Sequence, residues 1–234
     1  MKLLCSNPQL SFCDSALLAR ECKADGFEYH MEGKKSPKKT AEHGLIVIHS
    51  RFAELNLGAY NAQVRRLTIN EVKKAIALAK RANANGITIH SGYCPLYEGQ
   101  NGWNKRASDS IEELIKEAKK HRKSIFLENF QDSQNVMGHF SNSFSSKHFK
   151  LMLDLGHANI YAGGGEKFFE RLVDKCFGIH AHNNFGKKDT HNSLAKGNID
   201  YKKIVPNIGR KALILEMLNK RDFEDSINLI NEIL

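Results

Sequence analysis

The sequence lacks the cysteine pairs that would mark a disulfide framework or a cysteine-rich zinc module. Its five cysteines are odd in number and scattered, with no C-x-x-C spacing: Cys5, Cys13, Cys22, Cys94 and Cys176. No apolar run suggests a membrane span, and 41% hydrophobic with 26% charged residues is ordinary for a globular protein. The start, MKLLCSNPQLSF, has one lysine and too short an apolar run for a signal peptide. We therefore expect reduced cysteines, no membrane partner and a cytoplasmic location.

A glycine fingerprint for dinucleotides is also missing. No G-x-G-x-x-G follows the first predicted strand, which argues against an open doubly wound sheet and against a nucleotide cofactor. The run Gly163 to Gly165 precedes a helical pattern and could bind an anion, although a plain turn explains it more simply. There is no low-complexity segment, linker or short repeat, so we expect one domain over residues 1–234.

The charge balance is strongly basic. A formal net charge of +9 favours anionic partners such as nucleic acid or phosphorylated small molecules. The segment KKSPKK, residues 34–39, concentrates part of that charge. Lysines dispersed over helix surfaces would produce the same total, so both interpretations stay open.

Strand and helix patterns alternate along the whole chain. Short apolar runs such as LIVIH, GITIH, SIFLE and ALILE predict buried strands, and LTINEVKKAIALAKR is typical of an amphipathic helix. CPLYEGQNGWNKR, which contains Trp103, is predicted as a loop. About eight strands in 234 residues, close to the roughly 250 of a typical barrel, favour an α/β fold with a single (β/α)8 TIM barrel.

Metal-capable side chains stand where the predicted strands end. The carboxyl ends of barrel strands converge on one face, which is where TIM barrels place their chemistry. Imidazole and carboxylate without thiolate suit zinc, manganese or a similar divalent ion. Six residues occupy such positions: His49, His90, Glu128, Asp154, His180 and Glu216.

The stretch from Gly178 to Asp200 adds further groups of the same kind. His180 and His182 are two residues apart and share a face if the strand continues through them. Asp189 and His191 repeat that spacing after a Gly-Lys-Lys turn.

Six motifs follow one another along the chain: IHSRFAELNLG, IHSGY, LENF, LDLGHAN, the H-A-H-N to D-T-H run and LILE. In these motifs the sequence resembles the xylose-isomerase-like TIM barrels, over nearly the full length. That family includes endonuclease IV and sugar-phosphate isomerases and epimerases. The resemblance to endonuclease IV implies up to three Zn²⁺ ions held by nine ligands: His49, His90, Glu128, Asp154, His157, His180, Asp189, His191 and Glu216. The resemblance to the isomerases implies one divalent ion, such as Mn²⁺, on Glu128, Asp154, His180 and Glu216.

Two departures from the family pattern fall in the substrate loop. Asn183 follows His182 where H-x-H-D is common, and Leu194 to Gly197 reads L-A-K-G where L-G-E-G is common.

The isomerase interpretation implies metal-assisted proton transfer on a sugar or sugar phosphate. One of Glu128 and Glu216 would remove the proton beside a carbonyl and the other would return it. His90, His157 and His182 are expected to contact the substrate, Lys187 or Lys188 a phosphate, and Trp103 and Phe185 the apolar face of the sugar.

The alternative is an apurinic/apyrimidinic endonuclease that cleaves DNA phosphodiesters on a trinuclear zinc cluster. The net charge and KKSPKK suit a DNA backbone, and Arg51 with Phe52 could wedge into an abasic duplex. Those two side chains could equally be an ion-pair partner and a core aromatic. The chain is short for endonuclease IV, with little room for DNA-gripping loops, which favours the isomerase. A barrel that keeps its ligands but serves as a binding protein is a third possibility.

Overall fold

Eight parallel strands form a closed barrel. The computed structural model describes residues 1–32, 34, 37, 43–95 and 99–234. Each strand pairs in parallel with the next, and the last pairs with the first, which confirms the predicted (β/α)8 TIM barrel. The strands are β1 Lys2–Ser6, β2 Gly26–His30, β3 Leu45–His49, β4 Gly86–His90, β5 Ser124–Glu128, β6 Phe149–Asp154, β7 Cys176–Ala181 and β8 Ala212–Glu216.

Helices follow the strands along the chain. They are α1 Phe12–Glu21, α2 Ala62–Arg81, α3 Gln100–Lys120, α4 Gln134–Ser143, α5 Leu155–Tyr161, α6 Gly165–Leu172, α7 Tyr201–Ile204 and α8 Lys220–Ile233. The longer ones owe their position to an apolar stripe. In α2, for example, Ile69, Val72 and Ile76 are buried against the sheet, while the Asn61 side chain caps the first turn by accepting from the Gln63 amide.

The predicted loop around Trp103 is wrong from Gln100 onward, because those residues begin α3. Trp103 is 1% exposed, and its indole Nε1 donates to Asn56 Oδ1 at 3.2 Å. Its ring packs edge-on against Phe140 of α4, 6.1 Å between centroids. The proposed contact of Trp103 with substrate is therefore corrected: the side chain belongs to the packing between helices, and its polar atom is already bonded.

The interior of the barrel changes from apolar to polar along the strand direction. The end where the strands begin is filled by a cluster of buried apolar residues: Leu4, Val47, Phe126, Met152, Ala212 and Ile214. Phe126 stacks on Phe177 at 3.9 Å there. Toward the carboxyl ends the inward side chains become Glu28, Thr88 and His180, all 0% exposed. The apolar floor therefore leaves only one face of the barrel for polar chemistry.

In the part of the chain that the structure describes, no helix is long and apolar enough to cross a membrane.

Gly26 begins β2 and pairs with Leu45 of β3, where no room is left for a side chain. A Cβ added at Gly26 would sit 1.8 Å from the Leu45 carbonyl oxygen, which is backbone and cannot rotate away. We expect Gly26→Ala to lower the free energy of unfolding by about 1–3 kcal/mol, as overpacking does. Urea denaturation followed by circular dichroism measures the change.

Gly138 provides the matched control. It lies inside α4, and a Cβ there would meet nothing within 4 Å. Gly138→Ala should leave stability unchanged or raise it by about 0.5–1 kcal/mol, because alanine is the better helix former. Equal effects of the two substitutions would contradict the close-contact argument.

Candidate active site and metal centre

The six metal-capable residues at the strand ends converge on one face of the barrel, as expected from the sequence. Four of them, Glu128, Asp154, His180 and Glu216, bring one ligand atom each within 4.8 Å of one another. His180 Nδ1 lies at the middle of this set, 3.0 Å from Glu128 Oε1 and 3.6 Å from Glu216 Oε2. Asp154 Oδ2 lies 4.0 Å from the same nitrogen. Three carboxylates and one imidazole at these separations form a donor set that a single divalent ion can occupy.

A second group shares Glu128 with the first. Its other carboxylate oxygen, Oε2, lies 3.1 Å from His49 Nε2 and 3.4 Å from His90 Nε2. The two Nε2 atoms are only 3.3 Å apart. Glu128 therefore stands between two groups of possible ligands and presents one oxygen to each.

A third group lies on the other side of Asp154. The Asp154 carboxylate caps α5 by accepting from the His157 amide at 2.6 Å, so the turn of helix that follows β6 places His157 beside it. His157 Nε2 and His191 Nε2 each lie 3.2 Å from Asp189 Oδ2. The nine residues expected as ligands from the family resemblance thus form one connected cluster.

His182 belongs to this third group. Its Nε2 lies 3.2 Å from Asp154 Oδ1 and 3.7 Å from Asp189 Oδ1, and its ring stacks on His191 at 4.0 Å. A Cβ on Gly156 would meet the ring at 2.0 Å, so the ring occupies space that only glycine leaves open. The geometry therefore groups His182 with the metal-capable residues, while the cavity above them is lined by other side chains. Its predicted role as a substrate contact stays a prediction.

The cluster places carboxylates directly beside imidazoles. Burial would raise the pKa of Glu128, but the charges of His180 and His90 bring it well below the usual value. Burial would lower the pKa of His157, but the charge of Asp154 and the hydrogen bond with Asp189 raise it to about 10. Glu128 is therefore ionised, and protonated imidazoles such as His157 and His191 balance negative charge where no cation does. Metal binding would replace those protons with the charge of the ion.

Several buried atoms of the described cluster have no hydrogen-bond partner in the protein. They include His90 Nδ1, His182 Nδ1, Glu216 Oε2 and both ring nitrogens of His180. The His180 nitrogens lie 2.9 and 3.0 Å from carboxylate oxygens, without the alignment of a hydrogen bond. Buried polar atoms are normally paired, so donors left in this state fit a site built for metal ions.

A cavity of about 300 Å³ opens above the ligands. Phe52 and Phe130 form apolar walls around His90, with ring centroids 4.6 and 5.9 Å from it. No lysine or arginine is among the lining residues in the described ranges. The lining consists of Pro8, His30, Glu32, His49, Phe52, His90, Glu128, Phe130, His157, Asp189, His191 and Glu216.

Two members of this region, Glu28 and His30, were not predicted as site residues. Both point into the barrel from β2, and His30 ends its strand as His49 and His90 end theirs. The signal was present in FEYH, where alternation places Glu28 and His30 on one face. The resemblance did not identify these two residues, because the family ligand set contains neither of them.

The basic residues proposed for substrate or DNA lie outside the cavity lining. Arg51 pairs with Glu71 at 2.8 Å and donates to the carbonyls of Met31 and Lys34, which agrees with the ion-pair role that the sequence left open. Phe52, by contrast, lies at the cavity wall. Lys187 and Lys188 are exposed on the loop before Asp189, and their contact with substrate stays a prediction.

Only part of the predicted basic segment KKSPKK can be placed. Lys34 Nζ donates to the carbonyls of Pro8 and Leu10, both at 2.6 Å, so its charge is engaged within the protein. Lys35, Ser36, Lys38 and Lys39 lie outside the described residues.

Asn183 holds the loop that carries Asp189 and His191. Its Nδ2 donates to the carbonyls of Leu194 and Ile199, at 2.8 and 3.1 Å. Its Oδ1 accepts from the Ile199 amide, and a Cβ on Gly197 would lie 2.1 Å from that oxygen. The departure from H-x-H-D therefore has a structural consequence, because aspartate has no donor for the two carbonyls.

We expect Asn183→Asp to destabilise the protein by at least about 2 kcal/mol, because two buried carbonyls lose their donor and face a carboxylate. Urea denaturation measures the loss. Asn198→Asp is the control in the same loop: Asn198 is exposed and accepts from Asn159 Nδ2 at 2.7 Å, which aspartate also does. A comparable loss in both variants would show that the bonds of Asn183 do not carry the effect.

Comparison with known proteins agrees with this geometry. Residues 17–233 match the family described as xylose isomerase-like TIM barrel. An uncharacterized protein of Methanocaldococcus jannaschii is 30% identical over 210 residues, covering 81% of this chain and 70% of that protein. Among solved structures, a D-tagatose 3-epimerase-like protein gives a TM-score of 0.86 at 23% identity, covering 100% of this chain and 97% of the other. Endonuclease IV from Thermus thermophilus gives 0.75 at 12% identity, covering 100% and 98%. The chain therefore belongs to the xylose isomerase-like TIM barrel family.

Proposed function

We propose that this chain is a divalent-metal-dependent isomerase or epimerase of a small unphosphorylated sugar. The observation that carries the proposal is the placement of Glu128 and Glu216. Both line the same cavity of about 300 Å³, and each contributes an oxygen to the four-residue group around His180. Two carboxylates that face one small cavity can remove a proton from a carbon atom and return one to it.

The donors fit Zn²⁺ or Mn²⁺ as the cofactor, and they are Glu128, Asp154, His180 and Glu216. An ion bound there would polarise a carbonyl and the adjacent hydroxyl of the substrate. The unpaired atoms of His180 and Glu216 support this assignment.

The two glutamates have different surroundings, which suits different roles in one turnover. Glu128 is 1% exposed, and its Oε2 lies beside His49 and His90. Glu216 is 6% exposed, and its Oε2 accepts no hydrogen bond from the described protein. One carboxylate removes the proton beside the carbonyl, and the other returns a proton to the substrate.

The rest of the cavity suits a small neutral polyol. His90 and His157 present ring nitrogens that can bind hydroxyl groups, and Phe52 and Phe130 cover the apolar side and exclude water. The volume is at the small end for ligand cavities. The described lining holds no lysine or arginine to pair with a phosphate, which is why we favour an unphosphorylated sugar over a sugar phosphate.

Endonucleolytic cleavage of abasic DNA is the second candidate, and the number of donors is the specific observation for it. The described residues form four overlapping groups of possible ligands, more than one ion uses. Clustered divalent ions favour phosphodiester hydrolysis, because they supply hydroxide near neutral pH and stabilise the leaving oxygen. The engaged side chains of Arg51 and Lys34 weaken this candidate.

Exchange of the substrate proton with solvent tests the proposed chemistry. We expect the protein loaded with Mn²⁺ or Zn²⁺ to replace a C–H next to the carbonyl of a ketose with deuterium in D₂O and to form an epimer or an aldose, as seen by ¹H NMR. D-Tagatose, D-psicose and D-fructose are the first substrates to screen. Glu216→Gln should reduce exchange by at least about 100-fold, because it removes one proton carrier.

Glu170→Gln on the exposed face of α6 is the matched control and should exchange like the wild type. Glu216→Gln activity near the wild-type level would show that the site is misassigned. Metal content per chain, measured on protein purified without chelator, separates the two candidates. No exchange with any ketose, together with two to three zinc ions and cleavage of an abasic-site duplex, would replace the isomerase with the endonuclease.

A further inference from the structure

Glu28 is a buried charge that the proposed proton transfer does not use. It is 0% exposed and lies inside the barrel, below the carboxyl ends of the strands. Its two oxygens accept hydrogen bonds from hydroxyl groups and face the ring of His180, which is the setting of a carboxylate. An unpaired buried charge is strongly unfavourable, which makes the partners of Glu28 informative.

Those partners hold the carboxylate from three other strands. Thr88 of β4 donates to Oε1 at 2.6 Å, and Ser6 of β1 donates to Oε2 at 3.2 Å. His180 of β7 brings its Nε2 to 2.9 Å from Oε2. Glu28 is thereby tied to strands on both sides of the barrel.

The hydroxyl of Ser6 links Glu28 to His30. Ser6 Oγ lies 2.7 Å from His30 Nε2. A hydroxyl has one hydrogen, and Ser6 Oγ donates it to Glu28 Oε2, so Ser6 accepts from His30. His30 then carries its proton on Nε2, 3.4 Å from Glu216 Oε1. The hydrogen bonds below the cavity therefore all run toward Glu28, because His30 donates to Ser6 and Ser6 donates to Glu28.

His180 is the point at which this network meets the metal centre. Its Nε2 faces Glu28, while its Nδ1 faces Glu128, Glu216 and Asp154. A ligating histidine that turns its second nitrogen to a carboxylate is held in one orientation and one tautomer, and it becomes the more basic ligand.

We infer that Glu28 is a positioning residue of the metal centre, which holds His180 so that Nδ1 is the nitrogen that binds the ion. The inference deepens the proposed function and rests on it. It assigns a role to a residue outside the ligand set that the family resemblance implies.

Metal affinity of Glu28→Gln tests the inference without relying on turnover. Glutamine keeps the size of the side chain and removes the charge that faces His180. We expect the affinity for Zn²⁺ and Co²⁺ to fall about 10–100-fold, measured by competition with a chromophoric chelator. The visible absorption bands of bound Co²⁺ should also shift, because the orientation of one ligand changes.

Glu32→Gln is the matched control. Glu32 lines the same cavity, but its carboxylate accepts from the Phe52 and Ala53 amides. The same chemical change there should leave metal affinity and the Co²⁺ spectrum as in the wild type. Unfolding of the metal-free proteins is followed in parallel, since a residue with a purely structural role would lower the melting temperature alone.

Wild-type affinity and spectrum in Glu28→Gln would overturn the inference while the proposed function stands. A wild-type protein that takes up neither Zn²⁺ nor Co²⁺ would overturn the proposed function itself. Should Glu28→Gln fail to fold, Thr88→Val serves in its place, because it removes only the 2.6 Å bond to Glu28. A several-fold loss of affinity in Thr88→Val supports the inference, and an unchanged affinity overturns it.

Discussion

The carboxylates of Glu28, Glu128 and Asp154 are almost completely buried inside a barrel whose other end is filled with apolar side chains. Their charge is the constraint on which the rest of the site depends, because ions in such a place need partners close at hand. Imidazoles provide those partners from several different strands. The same imidazoles, once deprotonated, are ligands for a divalent ion. The barrel thus brings together buried carboxylates and imidazoles, and their negative charge must be balanced by protons or by a metal ion.

Closure of the barrel makes this concentration possible. Because all eight strands run in parallel, every carboxyl end points at the same rim. His49, Glu128 and Glu216 are far apart in sequence, yet their strands deliver them to one cavity. The helices contribute mainly by packing the outside of the sheet. The exception is α5, whose capping residue Asp154 is itself a candidate ligand and fixes the position of His157.

The loop that follows β7 completes the centre by a different means. Asp189 and His191 lie on irregular chain, which an isolated antiparallel bridge between Asn183 and Asn192 ties back to the end of β7. The side chain of Asn183 adds to this anchor by bonding the backbone at Leu194 and Ile199. Side chains that serve a site from a loop need such an anchor, because their geometry must be held as closely as that of residues on strands. The residue that departs from the common family pattern is the one that anchors the loop.

Much of the fold and of the candidate site of this protein was determined by its sequence alone. The alternation of apolar runs and amphipathic helices predicted the barrel, and the polar residue at the end of each run predicted the convergence of His49, His90, Glu128, Asp154, His180 and Glu216. These predictions succeeded because strand alternation and the common direction of parallel strands are local or topological properties. Trp103 was misassigned and Arg51 was left between two roles for a related reason: residue type and nearness to a strand end do not say whether a side chain is already bonded.

Only the tertiary structure decided which side chains face one another across the barrel. His182 joined the candidate ligands because Gly156, in another element, leaves room for its ring. Glu28 came to lie against His180 because β2 and β7 face each other across the interior, 152 residues of chain apart. Distances of this kind depend on the closure of the sheet and on packing across it, which no pattern within one strand contains.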